Sequence, residues 1–257
     1  MGERLSIVRL VPERVLDWWS ALGASEAVLA SAYPKAELLQ VLRPGDAAPA
    51  QSASRWRRWF GRSTRTVAAG EALDAQAGLL WSSMSLHWAI DVPALMRDWH
   101  RALAVDGFMM FSTLGPGTLS SLSRAYLARG WGSPFAPWID MHDLGDMMVE
   151  AGFADPVMDQ ETLRLTWSGP EAALAELQGL GANADRTRHP GLRTPRWRAQ
   201  LLELLDGLRD DQGRCVLEFE VVYGHAFRPV PRPRVAAQTE VGLDDMKLML
   251  RNARSDN

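Results

Sequence analysis

The sequence predicts an α/β fold from three observations: short apolar runs alternate with stretches of helical spacing, turn signals separate them, and the last run alternates apolar and polar residues. RVLDWW, from Arg14, reads as a first strand and leads into a helix near Leu22 to Ser31. ELLQVL, TVAAG and GLLWSSM supply further strand candidates. Pro93 suits the first turn of a helix in which Leu95, Met96, Trp99 and Leu103 recur at helical spacing, up to a turn at Asp106-Gly107. FMMFSTL is the next strand, followed by a helix from Met141 to Ala151 that stops at Gly152, and by a strand around Thr162 to Trp167. Helices over Glu171 to Leu180 and Pro195 to Leu208 then interrupt the order before the final strand, CVLEFEVVYGHAF.

A chain of 257 residues, 47% hydrophobic, can bury one large core. The expected organisation is one domain over residues 1–227 with a helical insertion at about 169–210, then a flexible Pro/Arg-containing tail over 228–257. Within that tail Leu243 to Leu250 has the pattern for a brief amphipathic helix. Residues 44–65 shift to Ala, Pro, Ser and Arg and read as a surface loop with a short basic helix. The net charge of -3 argues against general nucleic-acid binding, although the positive charge is almost all arginine, with Lys35 and Lys247 the only lysines. The single Cys215 excludes an internal disulfide framework and a multi-cysteine metal site. With no leader or long apolar run, the expected location is the cytoplasm and no membrane partner is implied.

The turn after the first strand is the most informative stretch. A loop of the D-x-G-x-G-x-G type needs small residues because its backbone turns tightly and approaches a ligand closely. This chain keeps Asp17 and Gly23 but places Trp19 and Ala21 at the first two glycine positions, and the Trp19 indole is expected to project into the volume a cofactor needs. His87 and Trp88 are expected to end a core strand at the sheet's carboxyl edge, either as a pocket wall or as a packed core histidine. The G-x-G of FSTLGPGTL follows a fifth strand, so it reads as a turn, with Leu114 to Thr118 as a pocket rim. Asp140, His142, Asp143 and Asp146 are better explained as a helix cap and its acidic first turn than as metal ligands, and no metal is expected. The run Arg55 to Arg62, with Arg65 beyond it, mixes cations and aromatics. It could contact nucleic acid or an acidic carrier protein, but an amphipathic loop helix packed on the sheet explains it best.

Five stretches, SSMSLHW, VPALMRDWHRALAVDGFMMFSTLGPGTL, DMHDLGDMMVEAGFADPVMD, LQGLGAN and EVVYGHAF, together with ERLSIVRLVPERVLD near the start, resemble the malonyl-acyl-carrier-protein O-methyltransferases of biotin synthesis. These are class I S-adenosylmethionine-dependent methyltransferases. The resemblance implies a Rossmann-like, seven-stranded, mostly parallel sheet with an antiparallel last strand and a small helical insertion over the substrate. It implies methyl transfer from S-adenosylmethionine to the carboxylate of a malonyl thioester, masking a charge that apolar pockets would reject. By the same resemblance Asp17, Gly23, Ser83 and His87 would face the cofactor. Leu114, Thr118, Arg188 and Arg193 would face the substrate, with one of the two arginines receiving the carboxylate through bidentate hydrogen bonds. No general base is required, since a carboxylate is already nucleophilic. An acidic carrier protein is the implied partner, and neither nucleic acid nor membrane is.

Four departures sit on the cofactor side. Beyond the loop glycines, Leu42 stands where the second strand should end in an acidic ribose acceptor, with Asp46 beyond a Pro-Gly turn. Losing that acceptor costs about 1.5–3 kcal/mol of binding. Ser83 replaces a usual Asn, the mildest change, because a hydroxyl still hydrogen-bonds. Few residues precede the first strand, so the family's N-terminal helices are expected to be missing. The expectation is therefore a methyltransferase-like protein of weak or lost activity, or else a non-catalytic protein that binds a carrier or a partner enzyme.

Overall fold

The computed structural model describes residues 1–23, 25–46, 64–181, 183, 185 and 188–231. Seven strands form one sheet: β1 (Arg14–Trp18), β2 (Glu37–Val41), β3 (Thr64–Val67), β4 (Ala77–Ser82), β5 (Leu103–Leu114), β6 (Ala154–Trp167) and β7 (Cys215–Phe227). Their order is β3-β2-β1-β4-β5-β7-β6. β1 to β5 pair in parallel, whereas β7 runs antiparallel to both neighbours, Phe108 opposing Phe227 and Leu165 opposing Leu217. The expected sheet, with only its last strand reversed, is the one observed.

β1 reads as nearly unbroken apolar sequence because both faces of a central parallel strand are covered. Leu16 joins one face cluster with Leu80, Met109, Met96 and Trp99, against α3 (Ala69–Ala72), α4 (Val92–Ala102) and α6 (Met141–Glu150). Val15 joins the other, with Leu79, Trp81 and Phe108, under α2 (Glu26–Ala32) and a 3-10 turn at Gly2–Ile7. A third cluster gathers Trp167, Leu217 and Phe219 with α5 (Ser120–Ala128), α7 (Pro170–Gly179) and α8 (Pro195–Asp206). α7 and α8 are the expected insertion, and they cover one end of the sheet. α4 starts where Asp91 accepts the amide of Ala94 at 2.8 Å, and Asp140 caps α6 by accepting the amide of His142 at 2.8 Å, the capping role expected of it.

The structure differs from the sequence reading in several places. The helix near Leu22 to Ser31 is split into α1 (Ser20–Gly23) and α2, because the chain must pass close to the β4 loop at Gly23. β4 ends at Ser82, so His87 and Trp88 lie beyond the strand on a one-turn 3-10 helix at Leu86–Trp88. α5 was not foreseen: its N-cap position is Leu119, left-handed at φ 52, with no side-chain cap to signal a start. β6 begins at Ala154, well before Thr162, through a polar stretch whose exposure removes the apolar signal. Arg228 is anchored rather than part of a loose tail, since its amide donates to Gly107 at 2.8 Å and its guanidinium to the Arg101 carbonyl at 3.2 Å. The run Arg55 to Arg62 and the segment Leu243 to Leu250 lie outside the described residues, whereas Arg65 sits in β3 and is ion-paired with Glu71.

Trp99 is fully buried between two aromatic partners, edge-on to Trp18 at 6.4 Å and tilted against Phe111 at 6.0 Å. Trp99→Ala should cost about 3–5 kcal/mol, the cavity-forming range for a large aromatic, measured as a lowered urea midpoint at unchanged slope.

Candidate functional site

β1, β4 and β5 end together along one edge of the sheet, where open α/β sheets place their ligands. Asp17 is the last polar side chain of β1. It is 1% exposed, and neither carboxylate oxygen has a hydrogen-bond partner. Burial, with a smaller contribution from the charge of Glu26, pushes its pKa up to about 7. A buried unpaired carboxylate is a costly feature to keep inside a fold, and it is the residue that the loop motif retains.

Trp19 follows at φ 55, a left-handed conformation that glycine adopts freely and a bulky residue does not. The motif's demand for glycine at this point is thus visible in the backbone, although the residue is tryptophan. The residue is 8% exposed and belongs to the core cluster with Leu16, Leu39 and Val41. It gains hydrophobic burial by folding inward, and its indole nitrogen is left without a partner. Trp19 therefore occupies the carboxyl edge from within the core.

Two predicted cofactor residues meet. A Cβ on Gly23 would lie 2.7 Å from Ser83 Cβ and 2.8 Å from the Ser83 carbonyl oxygen, so the first loop and the β4 loop touch at that point. Ser25 ties the contact down, accepting from Trp81 Nε1 at 2.7 Å. On the ribose side, Leu42 is half-buried and donates its amide to the Val67 carbonyl at 3.0 Å. Arg43-Pro44-Gly45-Asp46 forms a turn with Gly45 at φ +91, and the Asp46 carboxylate accepts from Arg43 at 3.1 Å. Asp46 therefore pairs with its own turn through one carboxylate oxygen.

His87 is half-buried, its Nδ1 3.3 Å from Thr113 Oγ1, and burial holds its pKa down to about 4, so the ring is neutral at physiological pH. It lies in an aromatic row: Trp88 at 5.7 Å, Trp138 edge-on at 5.8 Å, and Phe135 stacked on Trp138 at 5.4 Å. Trp88 is 37% exposed, and a Cβ on Gly181 would lie 2.6 Å from its ring, so the insertion abuts the sheet edge there. The sequence reading missed this row; the proline-bounded aromatics of SPFAPW were its only local signal.

The substrate candidates divide. Leu114 packs beside the third cluster, with Trp131 and Trp197. Thr118 is buried, its hydroxyl donating to the Glu220 carbonyl at 3.0 Å and accepting the Glu220 amide at 3.2 Å, so it fastens the turn to β7 and does not face a pocket. The glycines of that turn leave room for Glu220: a Cβ on Gly117 would fall 2.4 Å from its carboxylate. Arg193 is half-buried over the Trp197 ring at 4.6 Å and donates to the Trp131 carbonyl at 3.4 Å. Arg188 is exposed and donates to the Asp185 carbonyl at 3.2 Å. Among the described residues no group of three or more His, Cys, Asp or Glu could hold a metal ion, and no helix is long and apolar enough to cross a membrane.

Taken together, the edge keeps a buried Asp17 at the end of β1, a core-packed Trp19 after it, and Leu42 with the Arg43–Asp46 pair beyond β2. Asp17→Asn tests the burial argument. Because the folded pKa is raised above its ordinary value of 3.8, the carboxylate destabilises the fold increasingly as pH rises from about 4 to about 7. Urea unfolding should show wild type losing a few kcal/mol (order of magnitude) across that window relative to Asp17→Asn, with a constant difference above it.

No protein-family model matches the chain. It is 40% identical over 240 residues to the malonyl-[acyl-carrier protein] O-methyltransferase of Gallionella capsiferriformans, covering 90% of this chain and 82% of that protein. It is 39% identical over 248 residues to the one from Laribacter hongkongensis, covering 91% and 82%. Among solved structures, the YcgJ protein of Bacillus subtilis superposes with a TM-score of 0.59 over 90% of this chain and 98% of that one. A candidate methyltransferase of Bacillus halodurans does so with a TM-score of 0.54 over 89% and 99%. Both structures are 13% identical in sequence, so they speak to the fold alone.

Proposed function

Since this chain belongs to the malonyl-[acyl-carrier protein] O-methyltransferase family, we propose that it acts on the malonyl thioester of an acyl carrier protein in the cytoplasm, with weak or lost methyl transfer. The observation that carries the second half is the carboxyl edge of β1 and β2: a left-handed Trp19 buried in the core, and a ribose position filled by Leu42 while Asp46 pairs with Arg43. S-adenosylmethionine is the family's methyl donor by resemblance, and at the ribose position that the resemblance implies these residues offer Leu42 in place of an acidic acceptor. Asp17 and the Gly23–Ser83 contact are what the fold retains of its site.

The substrate side is better kept. Arg193 is held by Trp197 and the Trp131 carbonyl in one orientation, which lowers the ordering cost of receiving a carboxylate. Leu114 and the row Trp88–His87–Trp138 offer apolar surface to the rest of a thioester, and the neutral His87 adds no charge that would compete for the carboxylate. Positioning is the whole contribution required of the protein, because the attacking oxygen carries its own lone pair.

A second reading is favoured by the same edge: a non-catalytic protein that keeps carrier or partner-enzyme binding and has given up the donor. Restoration separates the two. Trp19→Gly, Ala21→Gly and Leu42→Asp together should raise methyl transfer to malonyl-acyl carrier protein at least tenfold over wild type, measured with labelled S-adenosylmethionine. A folded triple variant with no gain would mean that these three positions do not limit the donor.

A further inference from the structure

The charge of this chain is unevenly placed. Its net charge is -3, yet residues 115–139 and 188–202 contain six arginines, Arg124, Arg129, Arg188, Arg193, Arg196 and Arg198, and no aspartate or glutamate. The fold brings these two segments together. Tyr126 and Trp131 lie edge-on at 5.2 Å, Trp131 is 5.4 Å from Trp197, and Tyr126 is edge-on to Trp197 at 6.3 Å. Arg129 rests over the Trp131 ring at 5.5 Å and Arg193 over Trp197 at 4.6 Å, so cation–π contacts fix two guanidinium groups on the aromatic platform.

Elsewhere arginines are neutralised within the fold: Arg4 by Asp159, Arg14 by Glu37, Arg43 by Asp46, Arg101 by Asp74 and Arg209 by Asp206. Among the described residues, no carboxylate lies within ion-pair distance of Arg124, Arg129, Arg196 or Arg198. Arg196 and Arg198 also occupy the first turn of α8, where the helix dipole disfavours cations. Exposed apolar side chains sit amid this charge, Leu127 at 60% and Leu192 at 98%. Unpaired cations surrounding exposed apolar residues match the rim and centre of a protein-docking surface.

We propose that the α5–α8 surface is where an acidic acyl carrier protein docks, its carboxylates on Arg124, Arg129, Arg196 and Arg198 and its apolar contact on Leu127 and Leu192. This rests on the carrier-linked reading of the substrate above. It also places the carrier beside Arg193, so the thioester arm enters at the insertion.

The test compares wild type, Arg124→Glu/Arg196→Glu/Arg198→Glu and the same triple to Lys, each checked for native circular dichroism, for binding of malonyl-acyl carrier protein and, separately, malonyl-pantetheine. The expected result is carrier affinity reduced at least tenfold in the Glu variant and kept within about threefold in the Lys variant, with malonyl-pantetheine affinity unchanged in both. Raising salt from 50 to 200 mM should weaken the wild-type complex and barely affect the Glu variant. Equal carrier affinity in wild type and the Glu variant would overturn the docking surface while leaving the substrate reading standing. A wild-type chain that binds neither carrier nor malonyl-pantetheine would overturn both.

Discussion

The carboxyl edge of this sheet is organised around the burial of Trp19 in a backbone conformation that favours glycine. The chain leaves β1 through a left-handed residue because it must turn at once to pass beside the β4 loop, where even a methyl group on Gly23 would collide with Ser83. A tryptophan at that turn bears local strain and offsets it by placing its indole in the core. The remaining features of the edge follow from that arrangement. Asp17 is sealed beneath the turn with no partner, and two loops that border a ligand cleft in this type of fold are drawn into contact.

The two halves of the site have therefore diverged in character. On the β1–β2 side the polar groups are either unpaired inside the fold, as Asp17 is, or committed to each other, as Arg43 and Asp46 are. On the insertion side, cations and aromatics remain presented, with Arg193 held against Trp197 and Trp88 against Gly181 of the insertion.

Much of the fold was legible in the sequence, because the succession of elements and the insertion are written in hydrophobic periodicity and turn residues, whereas the reversed last strand was implied by the family resemblance. α5 was not, since it starts at a left-handed Leu119 without a capping side chain, and neither was the first half of β6, whose exposed polar residues carry no apolar pattern. In the site, the departures of Trp19 and Ala21 from the loop's glycine pattern were readable directly. The core partners of the Trp19 indole were not, because Leu39 and Val41 reach it only through the pairing of β1 with β2. Thr118 was misread for a related reason: its neighbours Gly115 and Gly117 serve the Glu220 carboxylate, a partner 102 positions from Thr118 that no local spacing reveals.

The central claim, that the donor pocket has been remodelled from within, is most directly tested by isothermal titration of the wild-type chain with S-adenosylmethionine and S-adenosylhomocysteine. The account predicts no saturable heat in the micromolar range for either. Micromolar binding of either ligand would contradict it, and would mean that Trp19, Leu42 and Asp46 yield to the cofactor on binding.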